Sequence, residues 1–290
     1  MHAYLIMAHD NFEQLKRLLK ALDYEDNRIY LHVDLKAENF YPDEICACLK
    51  YAELELVKRK NVIWGDYSQI DCELALIEAA SKREHEYLHL MSGMDFPIKS
   101  HRYIVDFFNK YKGFEFVHFE CDGYPQYDRN KIQYWYLFQK YVGKKKSRNS
   151  LIAAFQRLTI LAQMILRINR VAKNKLHYYK GANWFSITGE CARYIVDHKQ
   201  LIENTFKNTL CGDEFFLQTI IMDSKYKDRL WKTEKNNDYT ACLRMIDWER
   251  GNPYIFRIDD ENALADSECL FARKFDMRVD SRIIDKLSQL

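Results

Sequence analysis

Apolar positions along the chain switch repeatedly between strand-like and helical spacing. Ala3 to Ala8 is a short apolar run that stops at His9-Asp10. Phe12, Leu15, Leu18, Leu19 and Leu22 then recur at helical spacing, with Asn11 placed to cap that helix. A second strand-like run, Ile29 to Val33, ends at Asp34, and a third, Leu54 to Val57, leads into Val62-Ile63-Trp64. A helix is predicted over about 68–80, with Ser68 as its cap, followed by a strand over 87–90. Strand, helix, strand, helix at this spacing predicts a mainly parallel sheet with helices on its faces. In such sheets ligands sit beyond the carboxyl ends of the strands, where His9, Asp34 and the loop after Leu90 would converge.

The middle of the chain reads differently. Cys121 to Ser150 is polar, aromatic and poorly periodic, which predicts a long surface excursion. Leu151 to Val171 is helical in pattern: Leu151, Phe155, Leu158, Leu161, Ile165 and Ile168 form a stripe, with Gln156, Gln163, Arg167 and Arg170 opposite. Two readings stay open here. The stripe packs on the domain and leaves a solvated basic face, or the helix lies on an anionic membrane surface next to Lys144-Lys145-Lys146 and Arg148. Beyond it, Asn183 to Thr188 reads as a strand, Gly189 to Val196 and Glu214 to Met222 as helices, and Tyr239 to Trp248 as extended. Leu270 to Leu290 is basic and then helical in pattern.

With 290 residues, 48% of them hydrophobic and 30% charged, the chain fits a single domain over 1–290 with a helical, basic excursion at about 122–180. The 20 Tyr, 17 Phe and 5 Trp suit sugar stacking, although most must be core. The net charge of +2 does not point to nucleic acid, but the stretch from Arg129 to Lys180 holds basic residues and no Asp or Glu. The opening MHAYLIMAHD has no basic leader, cleavage site or long apolar run. The eight scattered cysteines are accordingly read as reduced, mostly buried thiols, and the chain as cytoplasmic.

Several chemistries are missing from the sequence: G-x-G-x-x-G, the P-loop, G-x-S-x-G and H-E-x-x-H do not occur, nor does any Asp-x-Asp. A nucleotide-sugar enzyme lacking that last pair must take positive charge from elsewhere. Arg273 and Lys274 are candidates, since fixed cations stabilise a departing diphosphate; equally, they fit an exposed basic pair at a helix start. Asp213 reads as a helix cap, and Glu214 beside it as either a second cap or a general base. The 92–100 loop, with Gly93 and Asp95, suits either a ligand loop or a plain turn. Trp64 and Trp184 suit either a sugar face or the core.

Taken together and in order, these pieces resemble the core-2/I-branching β-1,6-N-acetylglucosaminyltransferases and the related peptide O-xylosyltransferases. The similar parts are Tyr4 to His9, His32-Val33-Asp34, Trp64-Gly65-x-x-Ser68, the loop at 92–100, Gly181 to Phe185, Asp213-Glu214, and Phe271 to Asp276. Asp122 to Lys180 has no counterpart. The resemblance implies a GT-A type, Rossmann-like fold, inversion at the anomeric carbon, and a UDP-sugar used without cofactor or divalent metal. It implies Glu214 as catalytic base and Arg273 and Lys274 on the diphosphate. Ala8, His9 and Asp34 would lie near the nucleotide, with Trp64, Asp95, Trp184 and Asp213 about the sugar and acceptor. N-acetylglucosamine is the expected sugar and xylose the alternative. The implied acceptor is a glycan or lipid-linked saccharide. Peripheral contact with the inner face of an anionic membrane is an allied expectation, and nucleic acid is not an expected partner. A non-catalytic glycan-binding subunit of a polysaccharide assembly complex is the rival reading.

Overall fold

A computed structural model describes residues 1–121, 125–143, 150–173 and 176–290. Its strands are β1 (His2–Ala8), β2 (Asn27–Val33), β3 (Glu53–Leu56), β4 (Tyr87–Ser92), β5 (Asp95–Pro97), β6 (Phe116–Val117), β7 (Phe185–Thr188), β8 (Arg244–Ile246) and β9 (Phe271–Arg273). Six of them form one sheet in the order β3-β2-β1-β4-β7-β6. The first four run parallel, and β7 and β6 extend the sheet antiparallel. A second sheet, β5-β9-β8, sits beside it. This is the mainly parallel, helix-flanked α/β architecture that the alternating periods predicted.

The apolar runs are continuous because the central strands are buried on both faces. In β1, Ala3 and Leu5 enter one core with the helix Ser68–Ala80 and the helices Gly189–Asp197 and Phe216–Met222. Tyr4, Ile6 and Ala8 enter the other, with the helices Phe12–Ala21, His101–Lys110 and Arg282–Leu287 and the second sheet. Strand order reverses at β1, whose neighbours are β2 and β4, so a crevice opens beyond the carboxyl ends of β1 and β4. All eight cysteines are free, and five of them are buried. Among the described residues no helix is long and apolar enough to cross a membrane.

Several local expectations are corrected. Asn11 stands before its helix in the left-handed region (φ 52°) and makes no side-chain cap; its amide donates instead to Gln14 and Asp276. Ser68 is the first helical residue rather than the cap, and its N–H donates to Asp66 Oδ2 at 2.9 Å. Tyr239 to Trp248 breaks into a short 3-10 turn, Tyr239–Cys242, followed by β8. The stretch after Cys121 is less of a surface excursion than its polarity suggests. It contains the helices Gln126–Gln133 and Gln139–Val142, in which Asp128, Lys131 and Gln139 are buried.

The largest reversal is the helix Ser150–Ile165, which packs on the domain through its polar side. Gln156 and Gln163 are only 7% and 8% exposed, whereas Phe155, Leu158 and Ile165 are 54%, 61% and 74% exposed. The glutamines are inside because they act as backbone partners. Gln163 accepts from Trp135 N–H (2.8 Å) and donates to Trp135 O (3.0 Å), and Gln156 accepts from Phe138 N–H (3.0 Å). Arg170 is also buried, stacked on Trp135 with its guanidinium 3.8 Å from the ring centroid and donating to Thr205 O at 2.8 Å. Lys144-Lys145-Lys146 and Arg148 lie outside the described residues.

Arg244 in β8 joins the two sheets. Fully buried, it donates through Nη1 to Ser186 Oγ (3.0 Å) and Cys242 O (2.6 Å), and through Nη2 to Leu90 O (3.1 Å) and Phe185 O (2.8 Å). Arg244→Met would strand these acceptors in the core, and a loss on the order of 3 kcal/mol is expected. The urea midpoint reads it; an unchanged midpoint would contradict this role for Arg244.

Candidate active site

At the crevice a cleft of about 720 Å³ is lined by Ala8, His9, Asp34, Trp64, Trp184, Asp213, Glu214 and Arg273, all residues singled out in the sequence. Asp95 and Lys274 do not line it.

One end is built by the tips of β1 and β2. Asp34 N–H donates to Ala8 O at 2.9 Å, joining the two strand ends. Lys36 N–H donates to Asp34 Oδ1 at 2.9 Å, and its ammonium lies 3.0 Å from Oδ2. Arg59 fixes the same loop by donating to the carbonyls of Asp34 (2.7 Å) and Ala37 (2.8 Å). Beneath it His32, brought down to about 4 by burial, accepts Lys60 N–H through Nε2 at 2.8 Å.

Glu214 stands at another side. It lies in a 3-10 turn, Gly212–Glu214, ahead of the helix Phe216–Met222 and not at the head of that helix as predicted. The chain enters the turn at Cys211 in the left-handed region (φ 49°). Gly181 N–H donates to Glu214 O at 2.9 Å, and a Cβ on Gly181 would lie 1.9 Å from His118 O, so only glycine fits this close passage. The Glu214 carboxylate accepts from Lys131 Nζ at 3.0 Å, with Lys180 Nζ at 4.0 Å. Lys131 also pairs with Asp128 at 2.8 Å, and Lys180 with Glu120 at 2.5 Å and Asp128 at 3.4 Å. Burial opposes the Lys131 charge, but Glu214 and Asp128 outweigh it and raise its affinity for the proton. The basic stretch from Arg129 to Lys180 is thus ion-paired near each end, at Lys131 and Lys180.

Asp213 differs from its neighbour. It makes no helix cap; it is buried and accepts from Gln69 Nε2 at 3.0 Å. Burial first, then the charge of Glu214, push its carboxyl up to about 7. Fully buried Glu73 lies behind it, also held well above the usual carboxylate range by burial and by Asp213.

Arg273 closes the third side. It ends β9 and is the register partner of Asp95 in β5. Its Nη1 donates to Asp95 Oδ1 and Ser92 Oγ, both at 2.6 Å, and the guanidinium lies 4.3 Å from the centroid of the Trp184 ring. Asp95 is thus corrected from a pocket residue to a buried anchor, 2% exposed, that also accepts Ser92 N–H (2.8 Å). Arg273 and Lys274 leave a strand rather than start a helix. Lys274 turns into a loop contact, its carbonyl accepting Phe256 N–H at 2.9 Å.

Sequence reasoning missed Lys131, Lys180, Asp128 and Glu120, whose pairing with Glu214 spans distant segments. It also missed Trp248, Tyr239 and Tyr141, which add aromatic faces to the lining. Among the described residues no group of three or more His, Cys, Asp or Glu side chains forms a ligand set for a metal ion.

The core-2/I-branching enzyme family model matches residues 2–262. The chain belongs to this family. It is the family that the motif series in the sequence resembles. It is 23% identical, over 96% of its length, to the xylosyltransferase sqv-6 of Caenorhabditis briggsae. It is likewise 23% identical, over 99% of its length, to the human β-1,3-galactosyl-O-glycosyl-glycoprotein β-1,6-N-acetylglucosaminyltransferase. The chain spans 35% of the first relative's length and 68% of the second's. A crystal structure of mouse xyloside xylosyltransferase 1 aligns over 94% of this chain and 97% of its own, at 11% identity and a TM-score of 0.40. The matched span of the family model ends before Arg273.

Asp213 supplies a pH prediction. Its folded-state proton affinity exceeds its unfolded one, so between the usual carboxylate range and about pH 7 the native state binds more protons, and stability falls as pH rises through that window. Asp213→Asn is expected to remove this fall, making the variant more stable than the parent at pH 8 but not at pH 4. Denaturant midpoints at both pH values test it; parallel pH profiles would refute it.

Proposed function

We propose that this chain is an inverting glycosyltransferase that moves a sugar, N-acetylglucosamine in the first instance, from a UDP-sugar to a hydroxyl of a glycan or lipid-linked saccharide, with no divalent metal. The observation that carries the reading is the lining of one cleft by a lysine-held carboxylate, Glu214, and an aspartate-held guanidinium, Arg273. A general base and a fixed cation are the two groups that direct displacement at an anomeric carbon requires.

In the proposed reaction the acceptor oxygen attacks the anomeric carbon from the face opposite the diphosphate. The carbon–oxygen bond to the diphosphate breaks as the new one forms, and Glu214 takes the acceptor proton. UDP leaves with the bonding electron pair, its growing charge met by Arg273, with Lys274 one residue farther along the chain. Among the described residues the hydrogen bonds of the Arg273 guanidinium to protein run through Nη1, which leaves Nε and Nη2 to donate to phosphate oxygens. The tips of β1 and β2, with Ala8, His9 and Asp34, are assigned to the nucleotide, and Trp64, Trp184 and Asp213 to the sugar and acceptor. No covalent intermediate is required, so no Ser or Cys nucleophile is assigned.

The xylosyltransferase relatives favour UDP-xylose as the second donor to test. Glu214→Gln is expected to lower kcat by about a thousand-fold while UDP still binds. Single-turnover assays and calorimetry with UDP check both halves. Turnover close to that of the parent would remove the base assignment, and absence of any donor hydrolysis by the parent would favour a non-catalytic glycan-binding subunit. Activity should persist in excess EDTA; its loss, restored by a divalent ion, would overturn the metal-free reading.

A further inference from the structure

We propose that the outward face of the helix Ser150–Ile165 docks this chain onto the surface of an anionic lipid bilayer. Phe155, Leu158, Leu161 and Ile165 form an exposed stripe along this helix, and Leu166 continues it past the end. Amphipathic helices of globular proteins normally turn such a stripe inward. Here the inward side is already filled by Gln156 and Gln163, bonded to the backbone of Phe138 and Trp135, so the stripe cannot rotate into the core without breaking those bonds. A contiguous apolar face of this kind marks a contact site.

Charge selects the occupant. Arg157 and Arg167 are exposed on this segment, Lys140 is exposed on the neighbouring helix, and the sequence from Arg129 to Lys180 has no acidic residue. Two copies meeting through this face would oppose like charges with no carboxylate of the segment to offset them. Anionic headgroups complement the arginines while acyl chains take up the leucine and phenylalanine side chains. The helix has 16 residues and therefore lies on the bilayer rather than through it.

The same face is continuous with the cleft. An apolar groove of about 450 Å³ beside the helix is lined by Phe138, Tyr141, Ile152 and Phe155, and Tyr141 also lines the cleft. A bilayer under the stripe therefore lies next to the cleft, so a hydroxyl carried on a membrane-embedded acceptor can approach along the groove. The docking itself does not depend on which sugar is transferred.

The test is sedimentation of the full chain with vesicles of phosphatidylcholine and phosphatidylglycerol in equal parts, compared with phosphatidylcholine alone. Binding is expected to the mixed vesicles and to weaken at high salt. Leu158→Glu with Ile165→Glu should lower partitioning by at least about a hundred-fold, and Arg157→Ala with Arg167→Ala by about ten-fold. Thermal melting and UDP-sugar hydrolysis in solution should remain at the parent's values for both double variants, and these separate docking from folding and from catalysis. Failure of the folded parent to bind mixed vesicles overturns the proposal. So does binding that both double variants retain, or a dimer in light scattering that the Glu substitutions split while no lipid is bound.

Discussion

The cleft depends on one buried ion pair. Asp95, 2% exposed at the start of the second sheet, needs a partner, because an unpaired carboxylate in that position is strongly unfavourable. Arg273 supplies it from 178 residues farther along the chain, as the register partner across β5 and β9. The pair fixes where the C-terminal strand meets the tip of β4, and Ser92 completes the clasp through its hydroxyl and N–H. The guanidinium is thereby set over Trp184 and inside the cleft. A cation held this way needs no rearrangement to meet charge that develops during a reaction.

The opposite side follows the same logic with the signs reversed. Glu214 is reached by Lys131, on a helix absent from the recognisable motifs, and by Lys180, just before the Gly181 passage. Three carboxylates, Glu120, Asp128 and Glu214, share these two ammonium groups, so each cation is oriented by more than one partner. Asp213 and Glu214 are adjacent in sequence yet live in different surroundings. Asp213 is buried against Gln69, and burial raises its carboxyl; the Glu214 side chain is 35% exposed and ion-paired. Neighbouring carboxylates set apart by environment can take different parts in one reaction.

Much of the frame was legible in the sequence because it rests on local periodicity. β1, β2 and β4 are buried on both faces and so read as unbroken apolar runs, and the helix over 68–80 kept its predicted bounds. What failed was whatever depended on partners distant in the chain. Asp95 looked like a ligand-loop residue because its partner is Arg273, and the Glu214 network was invisible because Lys131 lies 83 residues away. For the helix Ser150–Ile165 the amphipathic pattern was correct, but pattern alone does not say which face turns inward. The glutamines decided that by bonding to the backbone at Trp135 and Phe138. Likewise, Asn11 had the composition of a cap but met Asp276 from the far end of the chain.

In the proposed reaction a side-chain cation takes the place of a divalent ion beside the diphosphate. A crystal structure of this chain grown with UDP and magnesium tests it most directly. The proposed role of Arg273 predicts pyrophosphate oxygens within hydrogen-bonding distance of its guanidinium, with no metal between them and the protein. A pyrophosphate bound away from Arg273, or bridged to the protein by magnesium, would contradict it.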